Sequence, residues 1–151
     1  MSEIKRALYD LCVAYAENRI ATSAQAIQSA QQSAGEETKS SAGDKYETGR
    51  EMMQQETNRN MAQLTEANKL KVALSQVPAD APPTLVVQAG SLVITDNGKF
   101  YIAISAGALI YDNNTYFAVS MASPIGMQLK GKKAGEHFIL NNKEYIIQSI
   151  L

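Results

Sequence analysis

Residues 78–83, Pro78-Ala79-Asp80-Ala81-Pro82-Pro83, divide the chain into halves of different composition. Upstream there is no proline, and Gly35, Gly43 and Gly49 are the only glycines. That half is rich in Ala, Gln, Glu, Lys, Met and Leu, all good helix formers. Downstream come β-branched and aromatic runs broken by Gly, Asn and Asp, which is the pattern of short strands and turns. Residues 78–83 themselves read as a stiff, extended linker. The reading is an α+β chain: a helical part over 1–77, the linker over 78–83, and a sheet domain over 84–151.

Working back from the linker, Ile4, Leu8, Leu11 and Tyr15, then Ile20, Ala24 and Ile27, recur at steps of three and four. Residues 34–43 are polar and read as a turn. Asp44 then has the character of an N-cap, with Glu47 three places on. Tyr46, Met53, Met61, Leu64 and Leu74 anchor a second helix. Two long helices joined by a short turn pack antiparallel, as a coiled-coil hairpin. The apolar stripe is narrow, enough to hold two helices together but not to build a thick core.

Working forward, Thr84–Gln88, Ser91–Thr95, Phe100–Ser105, Leu109–Tyr111, Thr115–Ser120, Glu136–Leu140 and Tyr145–Ile150 read as strands. Asn97-Gly98 is a hairpin signal, and Asp112-Asn113-Asn114 and Asn141-Asn142 mark two further turns. Ser123-Pro124 opens a short helix, with serine at the cap and proline at the first helical position. Gly131 ends it. Val86, Val93, Ile102, Ile104, Val119, Ile125, Leu129, Ile139 and Ile147 are the expected core of an antiparallel sheet with one helix on a face.

Charge is balanced, 14 Lys+Arg against 15 Asp+Glu. A protein that grips nucleic acid by its phosphates shows a basic face, so direct, sequence-specific nucleic-acid binding is not expected; a protein partner fits better. No stretch approaches the ~18–20 apolar residues of a membrane span. The first residues lack a signal-peptide pattern, so the expected location is cytoplasmic, with no membrane partner. Cys12 and His137, the lone cysteine and histidine, lie on different parts and do not make a catalytic pair. The first reads as a packed thiol and the second as a surface residue.

Residues 123–136, Ser-Pro-Ile-Gly-Met-Gln-Leu-Lys-Gly-Lys-Lys-Ala-Gly-Glu, carry a resemblance. Ser123, Pro124, Ile125, Gly126, Leu129, Gly131, Gly135 and Glu136 match the C-terminal signature of the bacterial transcript-cleavage (Gre) factors. The order of parts is also similar to that family: helical hairpin, linker, sheet domain. The resemblance implies an FKBP-like C-terminal fold and RNA polymerase as partner. The hairpin would enter the polymerase secondary channel while the C-terminal domain docks at its rim. Ser123, Pro124, Ile125 and Gly126, with the basic cluster Lys130, Lys132 and Lys133, are the implied partner-binding residues.

In that family an Asp and a Glu at the hairpin tip help hold a catalytic Mg²⁺ and orient the attacking water, a metal-assisted hydrolysis carried out in the polymerase. Here Tyr46, Arg50 and Glu51 fall on matching positions beyond the tip, and that register puts Lys39 and Ala42 where the acids belong. Neither can ligate Mg²⁺, which prefers hard oxygen donors. Glu36, Glu37 and Asp44 are the nearest acids and the only tip candidates. The expectation is a polymerase-binding factor that is not itself an enzyme and holds no cofactor or metal of its own. Any Mg²⁺ would belong to the polymerase active site. The alternative is a structural or adaptor coiled-coil protein that binds another protein.

Overall fold

The computed structural model describes residues 2–39, 43–79 and 81–151, with side-chain placement for 3–32, 51–52, 54–79 and 81–151. Two long helices, α1 (Ser2–Lys39) and α2 (Gly43–Ser75), precede six strands and a short helix. The strands are β1 (Leu92–Thr95), β2 (Gly98–Ile102), β3 (Gly107–Tyr111), β4 (Asn114–Val119), β5 (His137–Leu140) and β6 (Lys143–Ile150), with α3 (Pro124–Leu129) between β4 and β5. The α+β class and the pairing of α1 with α2 agree with the sequence reading. The chain forms two compact units. One joins Met1–Tyr15 to Val72–Leu151, and the other is Ala16–Lys71. The composition boundary near residue 77 marks where helix gives way to strands, whereas the units divide within the helices themselves.

The seam of α1 runs through Leu8, Cys12, Ala16, Ile20, Ser23, Ile27 and Ala30, all buried or half-buried. That of α2 runs through Thr57, Asn60, Leu64, Ala67, Leu70 and Leu74. Steps of three and four keep each row on one side of its helix. Two expected anchors are off the seam: Ala24 and Met61 are exposed. Phase decides this, because a step of three from Ile20 reaches Ser23, and four more reach Ile27. Part of the polar stretch 34–43, within which the turn is expected, is helical. The α1 backbone continues through Lys39, and α2 starts at Gly43, one residue before the expected cap Asp44. Gly35 costs a helix only about 1 kcal/mol, and the glutamates beside it are good helix formers.

The sheet has the order β3-β4-β2-β1-β6-β5. All neighbours are antiparallel except β2 and β4. Expected hairpins recur at their turns. Asp112 and Asn113, and again Asn141 and Asn142, all take positive φ, as a primed two-residue turn requires. The first hairpin closes differently: the turn is Asp96-Asn97, and Gly98 alone is left-handed, at φ 134°.

Successive strand residues face opposite sides of the sheet, and here both sides are buried. Val93, Phe100, Ile102, Phe138 and Ile147 form one cluster with Leu129 of α3 and with Val87. On the opposite side Leu92, Tyr101 and Ala118 are cross-strand neighbours, as are Leu109 and Tyr116. All five are buried, as are Leu8 and Cys12 of α1. A hydrogen bond from the Ile104 backbone reaches the Cys12 thiol. The first turns of α1 are therefore a layer of the sheet domain.

Three expectations for 84–151 change. Thr84–Gln88 is not a strand. Pro82 and Pro83 bring no N–H to a ladder, and Val87 instead exchanges hydrogen bonds with the loop after α3, to Lys132 O at 2.9 Å and from Gly131 N at 3.0 Å. That turns Val87 inward in place of Val86. In β5, Phe138 is buried and Ile139 is 65% exposed. The 140↔143 register of the Asn141-Asn142 hairpin sets this phase, and a slip of one residue would reverse it. Upstream, Ala81 is buried and its carbonyl accepts from Lys5 Nζ at 3.0 Å.

The buried titratable groups give a pH dependence. Burial pushes the Cys12 thiol up to about 12 from 9.0, against a smaller opposing pull from the Ile104 backbone. Burial also raises Tyr101, helped by Cys12, Tyr9 and Asp10. A raised folded pKa gives stability that is whole below the unfolded value and lost as pH rises through the folded one. Melting temperature should therefore fall between pH 9 and 12, and Cys12→Ala should flatten part of that slope. At neutral pH a thiol reagent should label Cys12 only after denaturation; rapid labelling of the native chain would contradict this packing. Among the described residues the buried Tyr101 Oη has no hydrogen-bond partner, so Tyr101→Phe should raise stability by about 1 kcal/mol in urea titration.

Candidate partner-binding site around α3

The stretch from Ser123 to Glu136 is defined by local demands that its residue types meet. Ser123 is the N-cap, extended at φ −70° and ψ 158°. Its Oγ accepts from Gly126 N at 3.1 Å and donates to Ser120 O at 2.6 Å. The first satisfies a helix-end amide that would otherwise be orphaned. Pro124 takes the first helical position, where no amide is needed. Gly126 is buried against the incoming chain: a Cβ there would overlap the Ser120 carbonyl and lie 2.9 Å from Met121 Cα. Leu129 is fully buried in the cluster beneath the helix.

The exit is equally specified. Lys130 N closes on Gly126 O at 3.0 Å, and Gly131 turns the chain at φ 77°. Gly135 turns it again at φ 92°, its N–H reaching Ile147 O at 2.7 Å. Between them, Glu136 Oε2 accepts from Lys133 N at 3.0 Å. Positive φ favours glycine at both turns, and the carboxylate closes the loop that joins α3 to β5.

Among the expected partner-binding residues, Ser123 is engaged in capping and Gly126 is enclosed. Ile125 and Lys132 are half-buried, and Pro124, Lys130 and Lys133 are exposed. Met127, 64% exposed on α3, adds an apolar side chain beside them. The surface on offer is thus one proline, one methionine and two exposed lysines. Sequence reasoning missed Met127. Within the signature it falls on a variable position, and its exposure follows only from the phase that buries Gly126 and Leu129.

The tip candidates are elsewhere. The backbones of Glu36 and Glu37 lie in the last turns of α1 and that of Asp44 in the first turn of α2. Their side chains, and all of Ala42, lie outside the described residues. Among the described residues no group of three or more His, Cys, Asp or Glu side chains could hold a metal ion. Cys12 and His137 are apart in kind as well as place. The thiol is enclosed, while His137 is exposed with Nδ1 3.5 Å from Glu144 Oε1. No helix among the described residues is long and apolar enough to cross a membrane. No protein-family model matches the chain, and no curated protein matches it.

The Gly126 packing predicts a large effect from one methyl group. Gly126→Ala should destabilise the chain by about 2–4 kcal/mol, since the overlapped atoms are backbone and cannot swing away. Ser123→Ala should cost about 1 kcal/mol through the lost cap. Urea titration measures both. A Gly126→Ala chain as stable as the parent would show that the 120–126 segment is looser than described.

Proposed function

We propose that this chain is a polymerase-binding factor of the Gre type, whose helical hairpin occupies the secondary channel of RNA polymerase and whose sheet domain docks at the rim. The observation that carries this reading is the Ser123–Glu136 signature. Seven of its eight matching positions coincide with places where the fold makes a demand: a cap, a first-turn proline, a close approach at Gly126, a buried leucine, two left-handed glycines and a loop-closing carboxylate. Two further features support it. α1 has 38 residues and α2 has 33, so at 1.5 Å per residue each helix runs about 50 Å or more. The charge balance suits a protein partner rather than a nucleic acid.

On this reading the chain is cytoplasmic, is not itself an enzyme and modulates the polymerase more than it stimulates cleavage. Promoting hydrolysis needs carboxylates converging on one Mg²⁺ with near-octahedral geometry. In the ungapped register Lys39 and Ala42 stand at those positions, and an ammonium repels the incoming cation.

Two measurements test the proposal. The full chain should co-purify with core RNA polymerase; no binding removes the reading and leaves the adaptor alternative. On backtracked complexes it should give weak or no transcript cleavage, and the double change Lys39→Asp with Ala42→Glu should raise it. Strong cleavage by the unmodified chain, abolished by Glu36→Ala with Glu37→Ala, would assign the metal-directing role to those glutamates instead.

A further inference from the structure

β3 is an outer strand of the sheet, and its turn fixes which backbone groups face away from β4. In a two-residue hairpin the flanking pair, Tyr111 and Asn114, exchange both hydrogen bonds, and pairs then alternate along the ladder. The outward N–H and C=O groups are therefore those of Ala108 and Ile110. Among the described residues no donor or acceptor meets them. Both side chains are exposed, Ile110 at 71%, and Phe117, the cross-strand partner of Ala108, is 42% exposed on the same face. A Cβ built on Gly107 would meet nothing within 4 Å, so the edge is open. Residues 107–111 contain no charge and no proline, the usual devices that stop an edge from pairing. The other edge is different. By the same alternation β5 presents His137 and Ile139, and there His137 lies 3.5 Å from Glu144.

We propose that β3 pairs antiparallel with β3 of a second copy of this chain, joining two sheets through Ala108 and Ile110. The outward residues are symmetric about Leu109. A two-fold axis there sets Ala108 opposite Ile110 of the second copy, and Ile110 opposite its Ala108. All four outward backbone groups of each strand then find partners, and a small side chain faces a large one. No charge meets a like charge or is carried against Ile110 and Phe117, as an edge strand of ordinary polar sequence would carry one. Five-residue strands with these two side chains bury less than the ~1,200 Å² of a standard stable interface. The dimer is accordingly weak.

Sedimentation equilibrium and amide exchange on the full chain, from about 10 μM to about 1 mM, test this. The expected result is a monomer at the dilute end and dimer at the concentrated end, with the Ala108 and Ile110 amides protected only as dimer forms. Ile110→Lys, at an exposed position, should keep the fold by circular dichroism and weaken association at least about tenfold. Ile139→Lys on the other edge should leave association unchanged. A chain that stays monomeric throughout overturns the proposal, as does a dimer that survives Ile110→Lys or is lost with Ile139→Lys. Protection of the two amides at every concentration also overturns it, because another segment of the same chain would then be the occupant.

Discussion

The structure depends on β2 being buried from both sides. Phe100 and Ile102 face the cluster that holds Leu129 of α3, while Tyr101 between them faces the layer that holds Cys12. A strand of alternating polarity could serve one of these layers only. A continuous apolar run, Phe100-Tyr101-Ile102, serves both. Its neighbour β1 repeats the device with Leu92 and Val93, both almost fully buried. Leu92 and Tyr101, on the side of α1, would lose cover if its first turns were missing, so the helical part and the sheet part are not separable at the proline-rich stretch between them.

Much of this was legible in the sequence, and the failures have physical causes. Turn chemistry located the hairpins at Asp112-Asn113 and Asn141-Asn142, because few residues tolerate positive φ twice in succession. Ser123-Pro124 located α3 for an equally local reason. Long-range matters were less visible. Nothing in Thr84–Gln88 announces that Val87 bonds across to Gly131 and Lys132, and its β-branched content outweighs that silence. The choice between Phe138 and Ile139 for the core rests on strand phase, which two adjacent apolar residues leave open. At the hairpin, polar composition hides the last turns of α1, because glutamates are as much at home on a solvated helix as in a loop.

The candidate site shows the same division. Its signature residues were found as a string, and the fold accounts for most of them as caps, close approaches and turns. A match that is rich in structural demands speaks first to fold. Apart from Pro124, the exposed side chains around α3 that were singled out, Met127, Lys130 and Lys133, stand between the matches, at positions the pattern sets but with identities it does not.

The two-sided burial of β2 also has a consequence in time. Cys12 and the Ile104 backbone that reaches it are separated by most of the chain. At about 5–20 residues per second of synthesis, the first turns of α1 precede their sheet by on the order of ten seconds. The centre of the sheet closes later still, since Leu92 exchanges hydrogen bonds with Leu151, 3.1 Å and 2.8 Å. Through that interval Leu8 and Cys12 are without the strands that bury them in the folded chain, so the first turns of α1 are completed by the last residues made.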